Sequence, residues 1–228
     1  MTWRFGLFDS TFAPLVSTHW ALLVALVFPL LMGGLAALFP PKRAWPVVLA
    51  SLPLLASGGV LLMAFQEAGL LGWQWEIAGL ILSLRLNGLS VLLLLTTQCI
   101  VVAAALYTPG HIRLTESGPL ARWLWPLMGV ALSALSLIWL ATDLLTLYIA
   151  LELMGLAAVG MLMLSGKAPA LLAGMRYLLL ALVGSLTYLL GVALILGQWG
   201  RLDLQGLAEV IEPGPVAWFA AALIGAGL

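Results

Sequence analysis

The chain is dominated by apolar runs of about 20 residues, separated by short polar or proline-containing segments. A run of that length crosses the hydrocarbon core of a bilayer as an α-helix. Hydrophobic residues make up 64% of the 228 residues and charged residues only 8%, whereas a soluble domain carries roughly 25% charged residues. Because so few charges cannot cover a water-exposed surface, we expect an integral membrane protein of the all-α class.

The pattern predicts a polytopic bundle of about seven transmembrane helices that forms one membrane domain, residues 1–228. The predicted spans are residues 18–39, 44–66, 89–107, 123–141, 144–164, 171–196 and an incomplete run at 216–228. That last run has about 13 residues, which is too short to cross a bilayer. Residues 72–87 alternate with a period of two, which predicts a short β-hairpin at the membrane surface between helices 2 and 3.

Polar residues and prolines predict where the helices begin, bend and end. Thr142 and Asp143 form a minimal turn, and the Asp143 carboxylate is suited to capping the fifth span. A turn at residues 165–169 makes the fifth and sixth spans an antiparallel pair. Pro53 predicts a kink in the second span, and residues 204–211 are expected to form a short surface helix.

The positions of the cations predict the orientation of the chain. With the N-terminus outside, six cations lie on the inner side and three on the outer side, which agrees with the positive-inside rule. The six are Lys42, Arg43, Arg113, Arg122, Lys167 and Arg176, and the three are Arg4, Arg85 and Arg201. The first span is also too long for a cleavable signal, so we expect it to be retained.

Several functions are excluded by the residues present. The net charge is zero, which does not indicate a nucleic-acid partner. Cys99 is the only cysteine, so no intrachain disulfide is possible, and we expect this residue in an apolar run to serve packing alone. The sequence shows no metal-ligand spacing, phosphate-binding loop or nucleophile motif, and we expect no cofactor, no metal and no soluble type of catalysis in this chain.

Glu152 is the only acidic residue deep inside a span. A carboxylate at the bilayer centre costs roughly 3 kcal/mol on insertion scales, so such a residue faces the bundle or a water-filled cavity, or is protonated. Burial and a nearby cation act in opposite directions on a carboxyl group, and together they suit it to proton exchange near neutral pH. We predict a role in transport, and the alternative is a structural hydrogen bond within the membrane.

Arg176 is the cation that the turn between the fifth and sixth spans brings nearest to Glu152. The two residues lie 14 and 10 positions from Gly166, which corresponds to a depth difference of about 6 Å. The arginine could therefore approach the carboxylate directly or through water. In the alternative interpretation, Arg176 extends its side chain to the inner headgroups.

The residues around Glu152 resemble a known family. Residues 143–148, followed by 151–154 with the sequence Leu-Glu-Leu-Met, are similar to the fifth helix of proton-translocating antiporter-like subunits. These subunits occur in respiratory complex I, Mrp-type Na⁺/H⁺ antiporters, energy-converting hydrogenases and inorganic-carbon uptake complexes. The family usually has Phe-Trp where this chain has Ala150-Leu151. Residues 176–191 resemble the sixth helix of the family.

Two further segments carry the same resemblance, which covers about residues 20–228. Residues 197–204 are similar to the loop that follows the sixth helix, and residues 86–90 are similar to the start of the third helix. Asn87 stands there in place of the usual aspartate.

The resemblance implies a proton carrier and its partner. In that family the helix-five glutamate pairs with a lysine on a broken seventh helix, just beyond a run similar to residues 223–228. Family members have about fourteen helices built from two inverted repeats. We therefore expect either a fragment or a split subunit, completed by helices and a lysine from its own remainder or from another membrane subunit.

The resulting hypothesis is a proton-translocating antiporter-like subunit, or its N-terminal half, in the bacterial inner membrane. Glu152 would carry the proton, and Arg176 would tune it or belong to the inner access path. Partner subunits of a hetero-oligomeric complex, such as an NADH:quinone oxidoreductase, would carry out any electron transfer. The alternatives are a scaffold that stabilises a paralogous subunit, or an unrelated cation-coupled secondary transporter.

Overall fold

The computed structural model describes residues 24–31, 33–34, 58–59, 62, 71–77, 80–111 and 119–228. Within them, three helical stretches are long and apolar enough to cross a membrane, namely Trp123–Leu140, Leu144–Met163 and Ala168–Trp199. The prediction of an integral membrane protein is confirmed. The number of spans remains a prediction, because most of the first two predicted spans, including Pro53, lies outside the described residues.

Two antiparallel strands precede the main group of helices. Strand β1 (Leu71–Ile77) pairs with β2 (Leu80–Leu86), so that Leu71 lies opposite Leu86. These strands lie in the segment whose period of two predicts β-structure. They form a two-stranded sheet at one end of the helices that follow.

The rest of the described chain is helical. The helices are α1 (Gly88–His111), α2 (Pro119–Leu140), α3 (Leu144–Met163), α4 (Ala168–Trp199), α5 (Leu204–Val210) and α6 (Pro215–Gly227). The last five predicted spans agree with α1–α4 and α6 to within four residues at each end. The short surface helix predicted at 204–211 is also present, as α5.

Two helices begin earlier than the sequence predicts. Helix α2 begins at Pro119, inside the predicted loop, and α4 begins at Ala168, inside the predicted turn at 165–169. Proline lacks an N–H, but the first turn of a helix does not use its N–H groups for bonding within the helix. Pro119 and Pro169 therefore start these helices rather than end the loops before them. Gly166, with φ of 64°, makes the shortened turn between α3 and α4.

Polar side chains cap three of these helices at their N-termini. Asn87 accepts a hydrogen bond from the Ser90 N–H at 2.7 Å at the start of α1. Asp143 accepts one from Thr146 N–H at 2.7 Å at the start of α3, which confirms its predicted capping role. Asp203 does the same for α5 through the Gly206 N–H at 2.8 Å. Each carboxylate or amide satisfies an N–H group that the helix leaves free.

Three chain segments are joined side by side at the N-terminal end of α3. We call this the strand junction, formed by residues 83–84 of β2, residues 141–144 and residues 202–204. Thr142 N–H donates to the Ser83 carbonyl at 3.1 Å, and Leu144 N–H donates to the Leu202 carbonyl at 3.1 Å. The Asp143 carboxylate, which is fully buried, also accepts from the Ser83 N–H at 2.8 Å. The junction therefore fixes the ends of α2, α3 and α4 relative to β2.

Candidate functional site

Glu152 lies near the middle of α3, about 12 Å along the axis from the first residue of that helix. Its side chain is half-buried. No other acidic residue lies within α1, α2, α3, α4 or α6. The structure thus places the predicted carboxyl group at mid-depth in an otherwise apolar helix.

The face of α3 that carries Glu152 is the face that packs against α4. Tyr148 lies one turn before Glu152 and forms a hydrogen bond to Ser185 of α4 at 2.9 Å. Val159, two turns after Glu152, lies against Gly174 of α4, where an added Cβ would be 3.5 Å from its Cγ1 atom. Residues spaced by four and seven positions share one side of a helix. Glu152 is therefore bracketed by two contacts between α3 and α4.

Arg176 lies on a different side of α4. It follows Gly174 by two residues, which is about 200° around the helix, and its side chain is exposed. Because Tyr148 lies opposite Ser185 in this antiparallel pair, Glu152 is level with residue 181, and Arg176 is about 8 Å further along the axis. The structure does not bring Glu152 and Arg176 together. Within the described residues, the one ion pair joins Arg201 and Asp203 at 2.9 Å.

Hydroxyl groups are concentrated on the side of Glu152 that faces the strand junction. Tyr148 and Ser185 form their hydrogen bond across the helix pair. The ring of Tyr148 stacks on that of Tyr188 with centroids 5.7 Å apart. The Tyr188 hydroxyl donates to the Leu144 carbonyl at 3.0 Å. This part of the α3–α4 interface is therefore polar and well connected.

The C-terminal end of α6 packs beside the same region of α4. A Cβ added to Gly184 would lie 3.2 Å from the Gly227 carbonyl oxygen, and a Cβ added to Gly227 would lie 2.6 Å from Tyr188 N. Gly184 is nearly level with residue 149 of α3. The end of α6 therefore lies within about 5 Å of Glu152 in depth.

A second carboxylate, Asp203, lies within the strand junction and is half-buried. Burial raises the pKa of this carboxyl group, but the hydrogen bonds from Arg201 and Gly206 and the charge of Arg201 outweigh burial and hold the pKa below its ordinary value. Asp203 therefore remains ionised at neutral pH. Its position at the start of α5 makes it a cap rather than a proton carrier.

Other polar groups do not form a site around Glu152. The Thr96 hydroxyl bonds to the Leu92 carbonyl of its own helix, and the Thr97 hydroxyl accepts from Trp139 across the helix pair at 3.1 Å. Among the residues that the structure describes, no cluster of His, Cys, Asp and Glu side chains could hold a metal ion.

Tyr148 and Ser185 are the site residues that sequence reasoning misses. From the sequence alone, Ser185 belongs to a small-residue face of the sixth span, and Tyr148 is one aromatic residue among many. The useful signal is the spacing of four between Tyr148 and Glu152, which puts them on one face of a helix. The partner of Tyr148 on α4 depends on the register of two helices, which spacing within one helix does not give.

Residues 141–227 match the family described as NADH:quinone oxidoreductase/Mrp antiporter, TM. NADH-quinone oxidoreductase subunit N of Desulforudis audaxviator is 28% identical over 93% of this chain and 44% of its own length. The chain therefore spans less than half the length of this curated relative. The family match begins at the strand junction and contains Glu152.

Solved structures show the same fold. A chain of the membrane-bound sulfane sulfur reductase, an archaeal respiratory membrane complex, superposes with a TM-score of 0.77 at 20% identity, covering 90% of this chain and 43% of that one. A chain of the Mrp complex from Dietzia sp. DQ12-45-1b superposes with a TM-score of 0.74 at 22% identity, covering 92% and 40%. At these identities the likeness establishes the fold alone.

Proposed function

We propose that this chain, whose residues 141–227 match the family described as NADH:quinone oxidoreductase/Mrp antiporter, TM, is a proton-translocating antiporter-like subunit, or the N-terminal half of one, in a hetero-oligomeric membrane complex. Glu152 is the proposed proton carrier. The observation that carries the proposal is the position of this carboxyl group, half-buried at mid-depth on the α4-facing side of α3. An ionisable residue in that setting is expensive to insert and is characteristic of proton relays.

In this proposal, Arg176 does not pair directly with Glu152. It is exposed and about 8 Å in depth from Glu152, which favours an arginine that extends toward the headgroups at the α3–α4 turn. Its place is then in the inner access path, where its charge acts on protons approaching the membrane.

The cation partner of Glu152 is proposed to come from outside the described residues. Resembling subunits place a lysine just beyond a small-residue run similar to residues 223–228. In this chain that run forms the end of α6, which is close in depth to Glu152. A lysine there, or one from an adjoining membrane subunit, would favour the ionised form of the carboxyl group and allow proton release.

The proposal predicts that Glu152→Gln abolishes proton-coupled activity of the complex in membrane vesicles while assembly is retained. Glutamine keeps the shape of the side chain and most of its hydrogen bonding but cannot carry a proton. Glu209→Gln, at an exposed position of α5, is the matched control and should have no effect. Proton transport that survives Glu152→Gln would show the carboxyl group to be structural, and loss of assembly would instead support a scaffold role.

A further inference from the structure

We propose that the hydroxyl pair of Tyr148 and Ser185 is a proton-relay step between Glu152 and water at the strand-junction end of the α3–α4 interface. The inference rests on the proposed function of Glu152 and assigns the next groups along the route. Its basis is the 2.9 Å hydrogen bond between the two hydroxyls, which crosses from α3 to α4. Both side chains are half-buried within the helix pair.

The geometry of an α-helix puts the Glu152 carboxyl group next to Tyr148. Positions four apart lie one above the other, with Cβ atoms about 5–6 Å apart. Helical side chains also lean toward the N-terminus, so the carboxyl group lies over the turn that carries Tyr148. The tyrosine hydroxyl is then within reach of the carboxyl group directly or through one water molecule.

The two directions along α3 from Glu152 differ in polarity. Toward the α3–α4 turn, residues 153–163 contain no polar side chain. On α4, Arg176 and Tyr177 lie at that end but are exposed on another side of the helix. Toward the strand junction, the first side chains that meet the interface are Tyr148 and Ser185. A proton that leaves Glu152 within this interface therefore has hydroxyl groups on one side only.

The hydrogen bond can run in either direction, because each oxygen can donate or accept. A proton from the Glu152 carboxyl group binds the tyrosine oxygen, directly or through water, while the tyrosine proton passes to Ser185. The serine proton then passes to water. The O–H bonds that break on Tyr148 and Ser185 are each replaced, so both hydroxyls end neutral, while Glu152 loses its proton to become a carboxylate and water gains one to become a hydronium ion.

Tyr188 holds the pair in place without being part of the route. Its hydroxyl is already committed to the Leu144 carbonyl, and its ring stacks on Tyr148. The stacking fixes the direction of the Tyr148 ring and so the position of its hydroxyl.

The test measures proton-coupled transport by the whole complex in membrane vesicles. Tyr148→Phe keeps the ring stack and removes one hydroxyl, and Ser185→Ala removes the other. Each should lower the rate by about 100-fold or more, since a positioned proton-transfer group typically contributes about 10²- to 10⁴-fold, with assembly unchanged. The double variant should be no slower than the slower single variant, because both changes interrupt the same step. Ser185→Thr, which restores a hydroxyl, should recover most of the rate.

The matched control is Tyr177→Phe on α4, whose side chain is 54% exposed, and it should leave the rate unchanged. A normal rate in assembled Tyr148→Phe complex, or additive losses in the double variant, would overturn the relay. If Tyr148→Phe fails to assemble, equal rates for Ser185→Ala and Ser185→Thr would overturn it instead. Activity in Glu152→Gln would refute the proposed function itself, whereas inactive Glu152→Gln with fully active Tyr148→Phe would refute only the relay.

Discussion

Gln98 is completely buried in α1, and neither atom of its amide has a hydrogen-bond partner among the described residues. The amide oxygen lies against Gly58, where an added Cβ would be 2.6 Å away. A buried polar group without a partner destabilises a fold by roughly 1–3 kcal/mol. At the scale of single residues, Gln98 therefore differs from Tyr148 and Ser185, whose polar atoms bond to each other.

We expect Gln98→Leu to stabilise the protein by about 1 kcal/mol, because leucine has a similar volume and carries no polar atom to be satisfied. Thermal unfolding in detergent micelles would measure the change. Thr96→Val, which removes an exposed hydroxyl bonded to its own helix, serves as the control for a general gain in apolarity. A less stable Gln98→Leu variant would indicate that water, or a residue outside the described ranges, satisfies the amide.

Single residues also show what the sequence predicts about the site and where prediction stops. Glu152 stands out because a carboxyl group in an apolar run is rare for energetic reasons that need no structure. The capping role of Asp143 follows from residue type and position, and the structure confirms it. The hydrogen bond between Tyr148 and Ser185, and the separation of Arg176 from Glu152, depend on the rotation of α4 about its axis, which the turn between the helices does not fix.

At the scale of helices, the close contact between α4 and α6 depends on glycine. A Cβ on Gly191 would lie 2.7 Å from Ile224 Cγ1, and one on Gly227 would collide with the backbone of Gly184 and Tyr188. Small residues let helix backbones approach closely, which is a common way of packing helices in membranes. The sequence shows the small-residue face of α4, but it does not show which helix occupies it.

Gly227→Leu should separate α6 from α4 and lower stability by about 1–3 kcal/mol, the usual effect of overpacking. Gly225→Leu is a matched control in the same helix, because a Cβ there meets no atom within 4 Å. Cross-linking between cysteines introduced on α4 and α6 would report the separation directly. Equal cross-linking in the two variants would contradict the close contact.

At the scale of helices, the two aspartate caps are expected to differ in how much they stabilise the protein. Asp143→Ala removes the α3 cap and leaves the buried Ser83 N–H without its acceptor, so we expect a loss of at least about 2 kcal/mol. Asp203→Ala removes the cap of the short α5 and the solvent-accessible ion pair with Arg201, and the loss should be about 1 kcal/mol. Unfolding in detergent micelles would compare them. A larger effect at Asp203 would mean that the strand junction does not depend on the Asp143 carboxylate.

Among the described residues, the bounds of α1–α4 and α6 were predictable to within four residues, because long apolar runs are typical of helices that span a bilayer. At the N-terminal ends, the largest errors fall at Pro119 and Pro169, which lie in the first turn of a helix but are predicted to belong to a loop. At the C-terminal ends, α1 and α4 run four and three residues beyond the predicted spans. The strand junction could not be predicted, because its hydrogen bonds join residues about 60 positions apart along the chain. Contacts of that kind depend on how the helices assemble.

At the scale of the whole molecule, the cations predict an N-terminus outside the cell and Lys167 inside. Six cations lie on the inner side in this orientation and three on the outer side. A cysteine at position 167, in a Cys99→Ser background, should therefore react with an impermeant thiol reagent only after the membrane is opened. A cysteine at position 212 should react in intact cells. Labelling of position 167 from outside would show that the orientation is the reverse of the predicted one.

The strand junction holds one end of the α3–α4 pair more tightly than the other. At one end, backbone hydrogen bonds tie β2, the α2–α3 turn and the start of α5 into one unit. At the other end, α3 and α4 are connected by an exposed turn at Gly166, whose backbone adopts a conformation suited to glycine. Any tilt of α4 against α3 during a transport cycle would pivot at the junction, and its amplitude would grow toward Gly166. Glu152 lies between this pivot and Gly166, so a small rotation at the pivot would change the distance between its side chain and α4.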